Sequence, residues 1–232
     1  MQLDRNEEAL VGFRRVLELD PAESAAAFGA ARILAEAGQR QEAIDVLVEA
    51  TSQDRPAPFL FNELGELLVE EGRIDEAAVC FRSSIAGNED LSRPHFNLAV
   101  ILEEEGNLDQ ALTHYERAIE LAPAHYQALF NLGRLEGRRG NLQRQQKLYQ
   151  AAIDANSDFL RGHYYLAKLI MDRGGDLQQA EAIARDALAR DPDHRAGPLG
   201  YYVLADILNR QGRRAEAQQA ADRGRQIQAE GS

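Results

Sequence analysis

The chain repeats itself every 34 residues, and that period constrains its fold more than any other feature. In residues 92–125 the pattern is carried by Leu98, Ala99, Leu102, Gly106, Ala111, Tyr115, Ala118 and Pro123. One step back stand Leu64, Gly65, Leu68, Gly72, Ala77 and Phe81; one step forward stand Leu132, Gly133, Gly140, Tyr149 and Ala152. A further step back gives Ala30, Ala31, Leu34, Gly38, Ala43, Leu47 and Ala50. Forward, past one extra residue at Gly174–Gly175, come Leu166, Ala167, Ile170, Ala180, Ala184 and Ala187, and after an insertion near Gly197–Pro198 come Leu204, Ala205, Leu208, Gly212, Ala217 and Ala221. A fixed period of this length marks stacked units, none of which buries its apolar face alone.

Within a unit the pattern resolves into two helices. His95, Leu98, Ala99 and Leu102 fall at i, i+3, i+4 and i+7, the stripe of an amphipathic helix. Gly106, between Glu105 and Asn107, ends it, because glycine takes the left-handed conformation at a helix C-terminus without a Cβ penalty. A second stripe runs through Leu108, Ala111, Leu112, Tyr115, Ala118 and Ile119. Pro123 fits the first turn of a helix and not its interior, so it punctuates the passage to the next unit. Composition agrees: 37 of 232 residues are Ala, aromatics are 6% and Trp is absent, which favours close-packed helices over a β-sandwich.

These residues resemble the tetratricopeptide repeat (TPR) family, whose pattern places a large residue, Leu-Gly, Tyr, Ala, an aromatic, Ala and Pro at fixed offsets. The resemblance implies an all-α fold, a right-handed superhelix (an α-α solenoid) of about thirteen antiparallel helices. Over residues 1–232 it divides into a half repeat at 1–23, second helix only, and full repeats at 24–57, 58–91, 92–125, 126–159, 160–194 and 198–231. It also implies a scaffold without catalytic activity that binds protein, with an extended peptide in its concave groove. The stretch 166–213 is similar to the TPR tails of bacterial sulfatase-type proteins, and some glycosyltransferases carry a TPR arm. The alternative function is therefore an accessory region of a larger enzyme that positions substrate or mediates oligomerisation. A start inside a repeat fits a piece of a longer protein.

Charge narrows the partner. The net charge is −12, which argues against the chain as a whole binding nucleic acid. Residues 1–91 hold 8 basic and 19 acidic side chains, whereas residues 92–232 hold 18 and 19. Of the basic residues only Lys147 and Lys168 are lysine, the bias of a GC-rich, bacterial gene. No run of 18 apolar residues and no signal-peptide order occurs, so membrane insertion is not expected; the compartment, cytoplasmic or periplasmic, stays open.

No constellation for catalysis, metal or cofactor emerges. A single Cys80 excludes an internal disulfide and a Cys-based zinc site. His95, His114, His125, His163 and His194 lack His-Glu-x-x-His spacing, and His95 and His163 read as packing residues in the place of an aromatic. Carboxylates such as Glu103-Glu104-Glu105 lie at the ends of first helices, as solvated surface does.

In the TPR resemblance, repeat positions 2, 5, 6, 9, 12 and 13 point into the groove. They place Glu36, Glu63, Glu66 and Glu70 in its N-terminal part. In its C-terminal part they place Arg93, Asn97, Asn131, Arg134, Arg138, Arg161 and Lys168, interleaved with Phe96, Phe130, Tyr164 and Tyr202. Asn97 and Asn131 match the position from which this family's Asn side chains bind a peptide backbone; an amide both donates and accepts. Phe130 and Tyr165 stand where the family's carboxylate clamp needs polar or basic groups, which argues against that mode. The expected ligand is a peptide with acidic and hydrophobic residues over repeats 92–194, while the acidic half of the groove repels it or contacts a basic stretch.

Two further expectations concern local structure. Repeat 126–159 carries Gln145 for the usual small residue, Glu136 for the large apolar one and Asn156-Ser157 for Asp-Pro, so looser packing is expected there. Residues 3–19 should form a helix whose Leu3, Leu10, Phe13 and Leu17 pack only partly on the next unit, leaving a patch for self-association.

Overall fold

The computed structural model describes residues 2–230, with side chains from Arg5 onward. Among the described residues it contains thirteen helices and no strand: α1 (Gln2–Leu19), α2 (Ser24–Glu36), α3 (Arg40–Thr51), α4 (Pro58–Glu70), α5 (Ile74–Gly87), α6 (Ser92–Glu104) and α7 (Leu108–Leu121), then α8 (Tyr126–Arg138), α9 (Leu142–Ala155), α10 (Leu160–Asp172), α11 (Leu177–Ala189), α12 (Leu199–Arg210) and α13 (Arg214–Glu230). The even-numbered helices α2 to α10 begin at residues 24, 58, 92, 126 and 160, so the period of the sequence is the period of the helices.

Each first helix ends the same way. Gly106 has φ +83°, its N–H donates to the Glu103 carbonyl, and the Asn107 N–H reaches back to Leu102 at 2.8 Å. This pair of bonds satisfies carbonyls that the helix end would otherwise leave unpaired. Gly38, Gly72, Gly140, Gly174 and Gly212 repeat the left-handed turn.

The two helices of a hairpin are held by a ring on a residue with no side chain. A Cβ placed on Gly65 of α4 would lie 2.5 Å from the Phe81 ring of α5, and one on Gly133 of α8 would lie 2.9 Å from Tyr149 of α9. In the hairpin between them the pair is Ala99 and Tyr115, both fully buried. Within a hairpin small hydroxyls add to this hold: Ser84 Oγ of α5 donates to the Pro58 carbonyl of α4 at 2.8 Å, and Ser92 Oγ of α6 to that of Ala118 of α7 at 2.9 Å.

The chain divides into two compact units, residues 1–122 and 123–232. In the N-terminal unit, α2 to α7 pair as α2–α3, α4–α5 and α6–α7 around Leu34, Leu47, Leu64, Phe81 and Leu102. Its α1 lies along α2 with Phe13 against Gly29, and Leu10, Phe13 and Leu17 are half-buried. Leu3 lies outside the residues whose side chains are described. Val11 (69% exposed) and Leu19 (75%) form the open face of this helix. In the C-terminal unit the pairs are α8–α9, α10–α11 and α12–α13, around Leu132, Tyr149, Ala167, Leu204 and Leu208. The two units differ in charge, with 10 basic and 25 acidic residues in the first and 16 and 13 in the second.

The expected looseness of repeat 126–159 is not found. Glu136 occupies the core place of Leu34, Leu68 and Leu102 and is only 1% exposed. Its carboxylate accepts from Asn141 Nδ2 at 2.5 Å and Arg144 Nη1 at 2.6 Å, so the buried charge is paired and hydrogen-bonded. Gln145 fits because position 137 is glycine: a Cβ there would lie 2.5 Å from the Gln145 amide. Volume lost at Gly137 is taken up by Gln145, and the repeat stays packed.

Removing one partner from a buried pair costs more than replacing the pair by an apolar group. Arg144→Ala is therefore expected to lower stability by about 1–3 kcal/mol, while Glu136→Leu leaves it unchanged or raises it, read by urea unfolding followed by circular dichroism. In the same assay Phe81→Ala should cost about 3–5 kcal/mol, and Gly106→Ala about 1–2 kcal/mol through left-handed strain alone.

Candidate functional site

The sequence places four glutamates and eleven basic, amide or aromatic residues in the groove, and the structure sorts them by what each side chain touches. In the N-terminal unit Arg93, in the first turn of α6, reaches back to α4. Its Nη1 donates to Glu63 at 3.0 Å and its Nη2 to Glu66 at 2.6 Å. Asn97, one turn further on, donates to Glu66 Oε1 at 2.9 Å and to Asn62 Oδ1 at 3.2 Å. Glu66 thus gathers Arg93, Asn97 and the buried Asn62. Burial pushes the Glu63 carboxyl up, and the Arg93 guanidinium opposes that shift. The expected separation of acidic and basic surfaces fails at this point: adjacent first helices bring Arg93 against the acids, and Arg93 and Asn97 are bound to them. Phe96 is half-buried against Tyr115, ring centroids 6.1 Å apart.

In the C-terminal unit two predicted aromatics belong to the core and not to a groove wall. Phe130 is 3% exposed, stacked on Tyr149 and edge-on to Phe159 and Tyr165, each at 5.1 Å. Tyr164 is 1% exposed, and its ring fills the space beside Gly200 of α12. Burial raises the Tyr164 pKa to about 12. The physical reason is rotation: successive residues of a helix are about 100° apart, so an aromatic at position 5 turns inward and one at position 6 turns outward. Tyr165, at position 6, is half-buried, with the Arg161 guanidinium 5.8 Å from its ring centroid. Tyr202 is engaged by the last helix, its hydroxyl donating to Gln228 at 2.8 Å and its ring against Gly224.

The remaining predicted residues converge. Arg134 and Lys168 line one cleft of about 360 Å³ between α8, α9 and α10, together with Gly137, Arg138, Gln145, Tyr149, Tyr165, Leu169 and Asp172. Asn131 lies one turn before Arg134 on α8 and is half-buried. Asp172 is the acid of the cleft, paired with Lys168 and Arg210, each at 3.1 Å. The span 126–175 holds 8 basic and 4 acidic residues, and one of those acids is the buried Glu136. The cleft combines cationic groups, tyrosine rings and an apolar floor. Among the lining residues that the sequence does not assign to the peptide site are Gln145 and Tyr165. Their signal was present: Gln145 as a departure from the small-residue position, Tyr165 as an aromatic one place beyond the core register.

A second polar cluster lies in the N-terminal unit. His95 Nδ1 is 2.9 Å from His114 Nδ1, and His95 Nε2 is 3.1 Å from the Glu89 carbonyl oxygen. A carbonyl only accepts, so Nε2–H donates, and His95 Nδ1 then accepts from His114 Nδ1–H, which makes His95 the neutral Nε2–H tautomer. Among the described residues no three His, Cys, Asp or Glu side chains are grouped to hold a metal ion. Nor is any described helix long and apolar enough to cross a membrane.

Comparison with known proteins agrees with the fold. Tetratricopeptide repeat models match residues 1–59, 62–125, 96–158, 130–195 and 198–230. The chain belongs to the tetratricopeptide repeat family. No curated relative matches at a significant level. Among solved structures it is similar to YrrB, a TPR protein with an unusual peptide-binding site, at 26% identity and TM-score 0.56 over 69% of this chain and 83% of that one. It is similar to the C-terminal part of a TPR repeat-containing protein from Cytophaga hutchinsonii at 12% identity and TM-score 0.68, over 97% and 92% of the two chains. A chain of the Cut9–Hcn1 complex gives 18% identity and TM-score 0.70 over 89% and 40%. These likenesses show the array of helical hairpins, and the repeats make the chain a protein-interaction scaffold.

The histidine pair generates a prediction. Burial lowers both pKa values, aided at His95 by Arg117 and at His114 by its partner ring and Arg82; the Glu89 carbonyl acts the other way on His95. Folded values below the ordinary 6.5 mean that the unfolded chain binds more protons, so the contribution is complete above about pH 6.5 and is lost as the pH falls through the folded values. Urea unfolding at pH 7.5 and pH 5 is expected to show a larger acid loss for the parent protein than for the variant His95→Leu with His114→Leu.

Proposed function

We propose that the cleft between α8, α9 and α10 is the site at which this scaffold binds an extended peptide with acidic and hydrophobic residues. The observation that supports this most is the convergence of Arg134, Arg138 and Lys168 on one cleft with Tyr165 and Leu169. Guanidinium groups match carboxylates in shape as well as charge, and tyrosine rings cover apolar side chains while keeping a polar edge. Asn131, on the same face of α8, supplies an amide for the peptide backbone. The peptide-binding site of YrrB, a structural relative at 26% identity, supports the same mode of action. Compared with the span 92–194 expected from sequence, the proposed site is narrower, because Arg93 and Asn97 are bound to Glu63 and Glu66.

A second reading concerns copies of the chain. Val11, Val16 and Leu19 on α1 are exposed, and their apolar surface supports association through this helix. Sedimentation velocity over a hundredfold concentration range tests it: Val11→Asp with Leu19→Asp should keep the protein monomeric where the parent associates.

Each exposed charge contact is worth about 0–1 kcal/mol and is screened by salt. Affinity for an acidic, leucine-containing peptide should therefore be in the micromolar range and fall with ionic strength. Arg134→Glu with Lys168→Glu is expected to weaken it at least tenfold, and Asn131→Ala by a smaller factor independent of salt. Unchanged binding in both variants, with helicity intact, would remove this cleft as the site.

A further inference from the structure

Gln145 is a residue that neither the repeat nor the core requires. At the same place in the other full repeats stand Ala43, Ala77, Ala111, Ala180 and Ala217. Its amide is accommodated by Gly137, on which any side chain would meet it at 2.5–2.6 Å. From there Gln145 Nε2 donates to the Tyr149 hydroxyl oxygen at 3.1 Å. That bond occupies an acceptor position of the oxygen and turns the phenolic O–H away from the amide. The hydrogen bond from Gln145 is one in which the Tyr149 oxygen accepts, so its own proton is not used in it. The Tyr149 ring belongs to the core (2% exposed), while Gly137, Gln145 and Tyr149 together line the cleft, so it is the end of the side chain beside the Gln145 amide that borders it.

The surroundings state what such a donor would meet. Burial pushes the Tyr149 hydroxyl pKa up, and the Gln145 hydrogen bond and the Arg134 charge oppose that without reversing it, so the group stays a protonated donor. Arg138 and Lys168 add positive charge to the same cleft, and the carboxylate of Asp172 is turned to Lys168 and Arg210. A neutral donor beside cations suits an acceptor that carries negative charge, and hydrogen bonds to charged groups are the stronger ones.

We infer that Gln145 and Gly137 position the Tyr149 O–H to receive the side-chain carboxylate of an acidic residue in the bound peptide, so that the cleft selects Asp or Glu over the amide and apolar alternatives. The inference rests on the peptide-binding reading of this cleft. Tyr149 serves twice: its ring is packed on Gly133 and its hydroxyl reads the ligand. Gln145 is a positioning residue, acting through Tyr149.

The test is a cycle between protein and peptide, with the full chain and fluorescence anisotropy. The probes are an end-blocked twelve-residue peptide of Ser, Leu and Glu, its counterpart with every Glu replaced by Gln, and the Gln peptide with a free C-terminal carboxylate. Tyr149→Phe is conservative, since Phe81 fills the same place in another repeat. It should weaken the Glu peptide about tenfold and leave the Gln peptide within twofold. Gln145→Ala and Gly137→Ala, which displaces the amide, should act in the same direction and spare the Gln peptide. Equal losses for both blocked peptides, or none, while Arg134→Glu with Lys168→Glu still abolishes binding of the Glu peptide, would overturn the inference and leave the cleft as the site. Recovery of affinity by the free C-terminal carboxylate alone, sensitive to Tyr149→Phe, would overturn the choice of a side chain. Binding that ignores Arg134 and Lys168 would overturn the reading of the cleft and this inference with it.

Discussion

A ring seated on a residue without a side chain sets the distance between the two helices of a hairpin, and most of the molecule depends on that distance. Phe81 lies on Gly65 and Tyr149 on Gly133, and any Cβ in either place would fall within 3 Å of the ring. Once the backbones are that close, Leu64, Leu68 and Ala77 have no direction left but the interior. The left-handed glycine then reverses the chain within a few residues, so the second helix starts at a fixed angle to the first. A hairpin built this way still shows an apolar flank to its neighbour, and stacking covers that flank.

The hairpin of 126–159 keeps this geometry with different chemistry inside it. Glu136 takes a leucine's place and is tolerated because Asn141 and Arg144 meet its carboxylate. Gln145 takes an alanine's place and is tolerated because Gly137 gives up its side chain. These exchanges conserve volume and add polar groups, which the other hairpins lack at the same positions. A buried polar network has to be satisfied almost completely to be stable, and here the partners are all supplied within one hairpin. The departure from the repeat is thus coherent, and it lies where the cleft opens.

Charge divides the chain by another principle. The N-terminal unit is strongly acidic, yet Arg93 of α6 bridges Glu63 and Glu66 of α4, and Arg40 of α3 bridges to Glu70 of α4. Cations on one repeat satisfy acids on a neighbouring one. In the C-terminal unit basic residues outnumber acidic ones, and Asp172 is shared by Lys168 and Arg210. An excess of positive charge in a concave, aromatic-walled cleft favours an anionic ligand more than the formal charge of the whole chain suggests.

The period, the helical hairpins and the turn glycines were legible in the sequence, because they depend on contacts between residues a few positions apart or one repeat apart. Gly106 announces its own left-handed turn, and Ala99 with Tyr115 announces the ring packing. What the sequence could not determine was the direction of a side chain within about 100° of helix rotation, and that margin separates core from groove. Phe130 and Tyr164 fell inside it, whereas Tyr165, one residue on, faces the cleft. Pairing across helices was equally hidden: Arg93 to Glu63 spans thirty residues, and His95 to His114 nineteen. Local pattern decides which residues become helical; only the packed structure decides which neighbour each polar group meets, since that depends on distances set by every other contact at once.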